Sequence, residues 1–138
     1  MYDLSRFHSA QKSSYSQALS EIKRGRKMSH WIWYIFPQIA GLGFSSTSQF
    51  YAIADLGEAK AYLADPVLKA HLEEISRALL ELDSSDPSEV MGYPDDLKLC
   101  SSMTLFEAAD PDSDIYPAVL EKFFNGRRDN STLRILGL

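Results

Sequence analysis

Apolar residues recur at intervals of three and four along most of the chain, which is the spacing of an amphipathic α-helix. The clearest case begins at Asp65-Pro66, an aspartate N-cap followed by a proline in the first turn. Behind it, apolar residues fall at helical spacing at Val67, Leu68, Leu72, Ile75, Leu79 and Leu82. No segment alternates strictly between apolar and polar residues, as a half-buried strand does. The pattern therefore predicts an all-α fold.

Capping and stop signals divide the chain into about seven or eight helices of short to medium length. Asp3 is the predicted N-cap of the first helix, which runs from residue 4 to residue 24 and stops at Gly25. The other segments predicted as helical are residues 28–36, 45–54, 57–63, 66–82, 87–91, 95–109 and 114–124, with a last short turn at 133–136. Asp86-Pro87 repeats the start signal of Asp65-Pro66 at the helix over residues 87–91.

Composition and charge are those of an ordinary globular protein, with 45% hydrophobic and 24% charged residues. A length of 138 residues predicts one domain that spans residues 1–138. The formal net charge is −5, whereas nucleic-acid-binding proteins carry a basic excess. Nucleic acid is therefore not an expected partner.

Cys100 is the single cysteine, so the sequence predicts no disulfide and fits a reducing compartment. The first residues do not resemble a signal peptide. The longest apolar stretch, residues 31–44, is interrupted by Pro37 and is too short to span a bilayer. We therefore expect a cytoplasmic protein without a membrane segment.

One segment, residues 25–48, concentrates the unusual residues of the chain and reads GRKMSHWIWYIFPQIAGLGFSSTS. Two helix starts are predicted within it, at Ser29 and near Ser45, and helix N-termini present free N–H groups to anions. Arg26 and Lys27 precede the first start. Two glycines precede the second and allow the backbone to approach a ligand closely.

A third element adds to this predicted anion site, because Lys98, Ser101 and Ser102 place a cation and two hydroxyls on one helical face. Trp31 or Trp33 is available for stacking. Together these features predict a pocket for a small anion that carries phosphate or carboxylate, such as a nucleotide or a phosphorylated metabolite. The predicted ligand-binding residues are Arg26, Lys27, Ser29, His30, Trp33, Gln38, Gly41, Gly43, Ser45, Ser48, Lys98, Ser101 and Ser102.

Each of these features also has a purely structural interpretation, with the serines as helix caps and the glycines as a turn. Gly-Leu-Gly is not a Rossmann fingerprint, which needs a third glycine and a preceding strand, and it is not a P-loop. No spacing of histidine, cysteine or carboxylate residues predicts a metal site. No motif predicts a cofactor.

Two other functions remain open at this point. In the first, the protein is an enzyme in which His30 is the acid or base and Lys98 or Lys27 stabilises developing negative charge. In the second, it is a protein–protein interaction module without a ligand pocket, with a cationic patch at Arg24, Arg26 and Lys27 beside the two tryptophans. Exposure of the tryptophans would favour the module, and burial would count against it.

Four uncommon strings occur in a fixed order along the chain, GRKMSHWIWYIFPQIAGLGFSSTSQFYAI, EAKAYLADPVL, DDLKLCSSMTLF and FFNGRRDNSTL. Through them nearly the whole chain resembles a bacterial family, the domain of unknown function 1810 group, whose members often carry the label calpastatin. The resemblance implies a mainly α-helical protein and supplies no activity, substrate or catalytic residue. Many members have histidine where this chain has Asp65, so no functional histidine is expected at that position.

Overall fold

The computed structural model describes residues 2–138 and folds them into nine helices without a strand. These are α1 (Ser5–Lys23), α2 (Ile32–Ile35), α3 (Ser46–Tyr51), α4 (Leu56–Ala64), α5 (Pro66–Leu80), α6 (Pro87–Met91), α7 (Asp95–Ala109), α8 (Ile115–Phe124) and α9 (Asn130–Leu136). The all-α prediction is confirmed. The number of helices is slightly above the predicted seven or eight, because the last predicted turn is the complete seven-residue helix α9.

The first helix ends where the sequence predicted but begins differently. Asp3 is not its N-cap, since Leu4 occupies that position and the Asp3 carboxylate accepts from the Ser5 N–H at 2.9 Å. At the other end, Gly25 has a φ of +88° and donates its N–H to the carbonyl of Ile22 at 2.8 Å. A positive φ of this size favours glycine, so the predicted stop at Gly25 is confirmed.

The prediction of a helix over residues 28–36 is wrong at the start of the segment. The observed helix, α2, covers only Ile32–Ile35, and Ser29 does not cap it. The backbone N–H groups of Met28 and Ser29 instead donate to the carboxylate of Glu21, at 2.7 and 2.9 Å. Because these two donors are bound to a side chain of α1, the segment remains non-helical up to the first residue of α2.

The helix predicted over residues 45–54 is shorter than expected and ends at Tyr51. Beyond it, Ile53 forms an isolated parallel β-bridge with Ile39. A residue that pairs its backbone with another segment cannot continue the helical hydrogen bonds of α3, so the bridge ends the helix. The same bridge joins the start of the loop between α2 and α3 to the segment that follows α3.

Two of the three Asp-Pro sequences, at residues 65–66 and 86–87, start helices as predicted. Asp65 caps α5 by accepting from the N–H groups of Val67 and Leu68 at 3.0 and 3.1 Å. Asp86 caps α6 in the same way, with the N–H of Ser88 at 3.0 Å. These caps satisfy donors that a helix N-terminus otherwise leaves free.

Helix α7 lies in the centre of the fold and packs against α2, α4, α6, α8 and α9. Its apolar residues Leu99, Met103 and Phe106 are fully buried, and several of its hydroxyl-bearing residues are buried as well. Among the residues that the structure describes, no helix has the length and hydropathy needed to cross a lipid bilayer.

Candidate functional site

A cavity of about 330 Å³ lies between the loop that follows α2, the first half of α7 and the start of α9. Residues of α2 and α3 complete its wall. The fold therefore brings together segments that are far apart in the sequence. Seven lining residues belong to the set that the sequence predicted for a ligand site, namely Trp33, Gln38, Gly41, Gly43, Ser48, Lys98 and Ser101.

The loop beside the cavity is held at its start by the Ile39–Ile53 bridge, in which the Ala40 N–H donates to the carbonyl of Ile53 at 2.8 Å. Gly41 follows with a φ of +104°, a conformation that other residues rarely adopt. Within the described part of the chain, none of the backbone N–H groups of residues 41–45 donates a hydrogen bond to the protein. The loop therefore has free donors next to the cavity.

The close approach of the loop to α3 depends on Gly43. A Cβ at this position would lie 2.6 Å from the Cβ of Ser48, which is closer than real contacts allow. Ser45 is not a lining residue. It caps α3 by accepting from the Ser48 N–H at 3.0 Å, and its hydroxyl donates to the Ser48 hydroxyl at 2.8 Å. Of Ser45 and Ser48, only Ser48 lies in the cavity wall.

Lys98 contributes a positive charge to the cavity wall. Its Nζ lies 5.4 Å from the centre of a Trp33 ring, so the ammonium group is over an aromatic face. The same atom is 3.4 Å from Oδ1 of Asp95, whose other oxygen is 2.7 Å from Nζ of Lys27. Two lysines therefore share one carboxylate, and the three groups together carry a net charge of one positive.

Lys27, which the sequence predicted as a ligand residue, is instead an internal structural group. Its side chain is 6% exposed and is not part of the cavity wall. Besides the ion pair with Asp95, its Nζ donates to the carbonyl of Ser29 and lies 5.0 Å from the centre of a Trp31 ring. An ammonium group that is enclosed in this way has no donor directed to a ligand in the cavity.

The anion that the sequence predicted near Ser29 is supplied by the protein itself. The carboxylate of Glu21 is fully buried and accepts from the N–H groups of Met28 and Ser29, from the Ser29 hydroxyl at 2.6 Å and from the Trp31 indole at 2.9 Å. Burial raises the pKa of Glu21, but these hydrogen bonds outweigh it and hold the pKa at about 2. The N–H and hydroxyl groups of Ser29 therefore donate to Glu21 and are not free to bind a ligand.

The other predicted residues also lie outside the cavity. Arg26 and His30 are exposed, and His30 lines a separate shallow depression of about 140 Å³ together with Ser29. Ser102 is fully buried in α7, and its hydroxyl has no hydrogen-bond partner within the described residues. His30 and Lys98 thus line different depressions, so Lys98 is not placed to stabilise negative charge on a substrate bound at His30.

Asp129 lines the cavity but was not predicted from the sequence. Its Oδ2 accepts from the backbone N–H of Thr132 at 3.0 Å, from the Thr132 hydroxyl at 2.6 Å and from the Ser101 hydroxyl at 3.1 Å. An aspartate that accepts from the N–H group three residues later is a recognisable helix N-cap, and Asp129 is the N-cap of α9. Nothing in the sequence, however, relates this cap to α7 on the other side of the cavity.

Most of the other unpredicted lining residues are apolar, and they are Ile39, Ala40, Leu42, Tyr51, Ala52, Pro94 and Leu97. The cavity wall also carries the charges of Lys98 and Asp129. The indole N–H of Trp33 is buried and has no acceptor within the part of the chain that the structure describes. The arrangement suits a ligand that has both an apolar part and a charged group.

Comparison with known proteins gives relatives but no function. The model of a family described as protein of unknown function (DUF1810) matches residues 1–136. The chain is similar to the crystal structure of the conserved hypothetical protein Rv1873 from Mycobacterium tuberculosis. The identity is 40% and the TM-score 0.97, over 99% of this chain and 98% of the other. No curated protein matches the chain.

Proposed function

The chain belongs to the DUF1810 family of proteins of unknown function, and we propose that it binds a small organic anion in the cavity beside Lys98. The observation that carries this proposal is the convergence of three features on one cavity. These are the ammonium group of Lys98, the free N–H groups of the loop at residues 41–43, and the aromatic side chain of Trp33.

The anionic group of the ligand binds the ammonium of Lys98 and the N–H groups of the glycine-containing loop. Hydrogen bonds to a charged group are about twice as strong as neutral ones, and here the donors are already in place. The rest of the ligand packs against Trp33 and Tyr51. A volume of about 330 Å³ is at the lower end of the range known for small-molecule sites.

A second candidate function is recognition of an acidic protein through the exposed side chains of Arg24, Arg26 and Met28. The tryptophans that the sequence offered as anchors weaken it, because Trp31 is 1% exposed and Trp33 is half-buried. A pull-down with the wild type and an Arg24→Glu/Arg26→Glu variant tests this alternative. A partner that is lost on charge reversal supports it, and an unchanged set of partners rejects it.

The pocket is tested by a thermal-shift screen with inorganic phosphate, simple carboxylates and mononucleotides as probes. A ligand at 100 times its dissociation constant stabilises the protein by about 2.7 kcal/mol, which is readily measured. We expect at least one anion to raise the melting temperature of the wild type and to have a much smaller effect on Lys98→Ala. The matched control is Lys60→Ala, which removes an exposed lysine of α4 outside the cavity.

The proposal is wrong if none of these anions stabilises the wild type. It is also wrong if Lys98→Ala and Lys60→Ala respond to the stabilising anion as the wild type does.

A further inference from the structure

We infer that the ligand is an organic monoanion, a carboxylate with an apolar body, rather than a polyanion such as a nucleotide or pyrophosphate. This inference rests on the proposed function and names the substrate class of the same site. It follows from two properties of the cavity, its charge and the nature of its rim.

The charge of the cavity suits a single negative charge on the ligand. Lys27, Asp95 and Lys98 sum to one positive charge, of which only the Lys98 ammonium lies in the cavity wall. Asp129 places a carboxylate in the same wall. Its Oδ2 accepts three hydrogen bonds, whereas its Oδ1 accepts none from the described residues. A second negative charge on the ligand would therefore meet Asp129 without a further cation to balance it.

Three large apolar side chains at the rim of the cavity are exposed. Leu97 lines the cavity and is 54% exposed. Ile135 is exposed as well, and its Cδ1 lies 3.3 Å from where a Cβ at Gly41 would be. Phe44, directly after Gly43 of the cavity wall, is 88% exposed. Large apolar side chains that remain in water around an opening are typical of a surface that a partner or ligand covers.

The charge of the cavity and the apolar side chains at its rim together indicate which kind of ligand binds. The carboxylate of the ligand sits at Lys98 and the loop N–H groups, and its apolar body extends past Leu97 toward the rim. Each methylene of that body that leaves water contributes to binding, so that affinity rises with chain length until the body projects beyond the rim. Inorganic phosphate has no apolar part to place there, and a nucleotide brings a second negative charge with its phosphate.

The test is calorimetric titration of the full chain, at constant ionic strength, with straight-chain carboxylates from butanoate to octanoate. Inorganic phosphate and adenosine monophosphate serve as polyanionic probes. We expect the carboxylates to bind about fourfold more tightly for each added methylene. The two phosphates should bind at least about tenfold more weakly than octanoate.

Three variants locate the binding. Lys98→Ala should weaken binding of every carboxylate, and Leu97→Ser should reduce the gain per methylene. Val67→Ser is the matched control, because Val67 is 51% exposed on α5, outside the cavity, and its replacement should leave the series unchanged. In Asp129→Asn, which can still cap α9, the phosphates should gain more affinity than the carboxylates do.

The outcomes separate this inference from the proposal beneath it. If a phosphate binds more tightly than octanoate and depends on Lys98, the monoanion inference is wrong and the anion pocket stands. If carboxylates bind without a dependence on chain length, or are unaffected by Leu97→Ser, the inference is wrong as well. If no probe of either class binds, both the inference and the proposed function fail.

Discussion

The indole N–H of Trp31 donates to the carboxylate of Glu21 across 2.9 Å, and both side chains are almost completely buried. This bond joins α1 to the segment before α2. The same carboxylate also accepts from the N–H groups of Met28 and Ser29, from the Ser29 hydroxyl and from the side-chain amide of Gln17. The ionised form of Glu21 is therefore built into the core of the fold, and its charge state affects stability directly.

Replacing Glu21 with glutamine should destabilise the protein in a way that depends on pH. Because the pKa of Glu21 is held at about 2, below its ordinary value of 4.5, its contribution to folding is present above that ordinary value. It is lost as the pH falls from 4.5 through 2. We expect Glu21→Gln to lower the free energy of unfolding by about 3 kcal/mol near neutral pH.

Urea denaturation of wild type and variant near neutral pH and at about pH 3 measures this effect, and the difference between them should shrink at the lower pH. Glu89→Gln, which changes an exposed carboxylate, is the control and should alter stability by no more than about 0.5 kcal/mol. An equal cost of Glu21→Gln at both pH values would contradict the assignment.

The two lysines that share Asp95 should have different roles. Lys27 is 6% exposed, so Lys27→Met removes an enclosed charge partner and should destabilise the protein by about 2 kcal/mol. Lys98 is 28% exposed and 3.4 Å from the carboxylate, so Lys98→Met should cost less than about 1 kcal/mol. Urea unfolding of both variants measures the two losses in the free energy of unfolding. A larger loss in Lys98→Met than in Lys27→Met would show that the roles are reversed.

Gly43→Ala should destabilise the fold through one specific collision. The added methyl group would lie 2.6 Å from the Cβ of Ser48, so either the loop or α3 has to move, at a cost of about 1 to 3 kcal/mol. In a Ser48→Gly background the same substitution should cost much less, because the colliding atom is absent. Thermal unfolding of the four proteins of this cycle gives the coupling energy, and additive effects would refute the collision.

Cys100 should be nearly inert toward alkylation in the folded protein. Burial raises the pKa of its thiol to about 11, and the negative charge of Asp129 adds to this effect. Compared with an ordinary value of 9.0, the thiolate fraction near neutral pH falls by about a hundredfold. Iodoacetamide should therefore react about a hundredfold more slowly with the native protein than with the denatured protein at the same pH, whereas equal rates would exclude the shift.

Local sequence was sufficient for the features whose hydrogen bonds stay within a few residues. The Asp65 and Asp86 caps and the Gly25 stop were predicted because donor and acceptor are separated by at most three residues. The sequence also identified segments that the fold brings to one cavity, since Trp33 and Lys98 both lie in its wall.

Only the tertiary structure decided the partners of the charged and polar side chains. Ser29 resembles a helix cap in the sequence, but Glu21 of α1 binds it, and Lys27 is held by Asp95 of α7. Asp129 resembles an ordinary cap and proves to be a wall of the cavity. A buried polar group must be paired, and its partner comes from whichever element packs beside it. Spacing along the chain does not determine that packing, so it could not show which of these residues a ligand can reach.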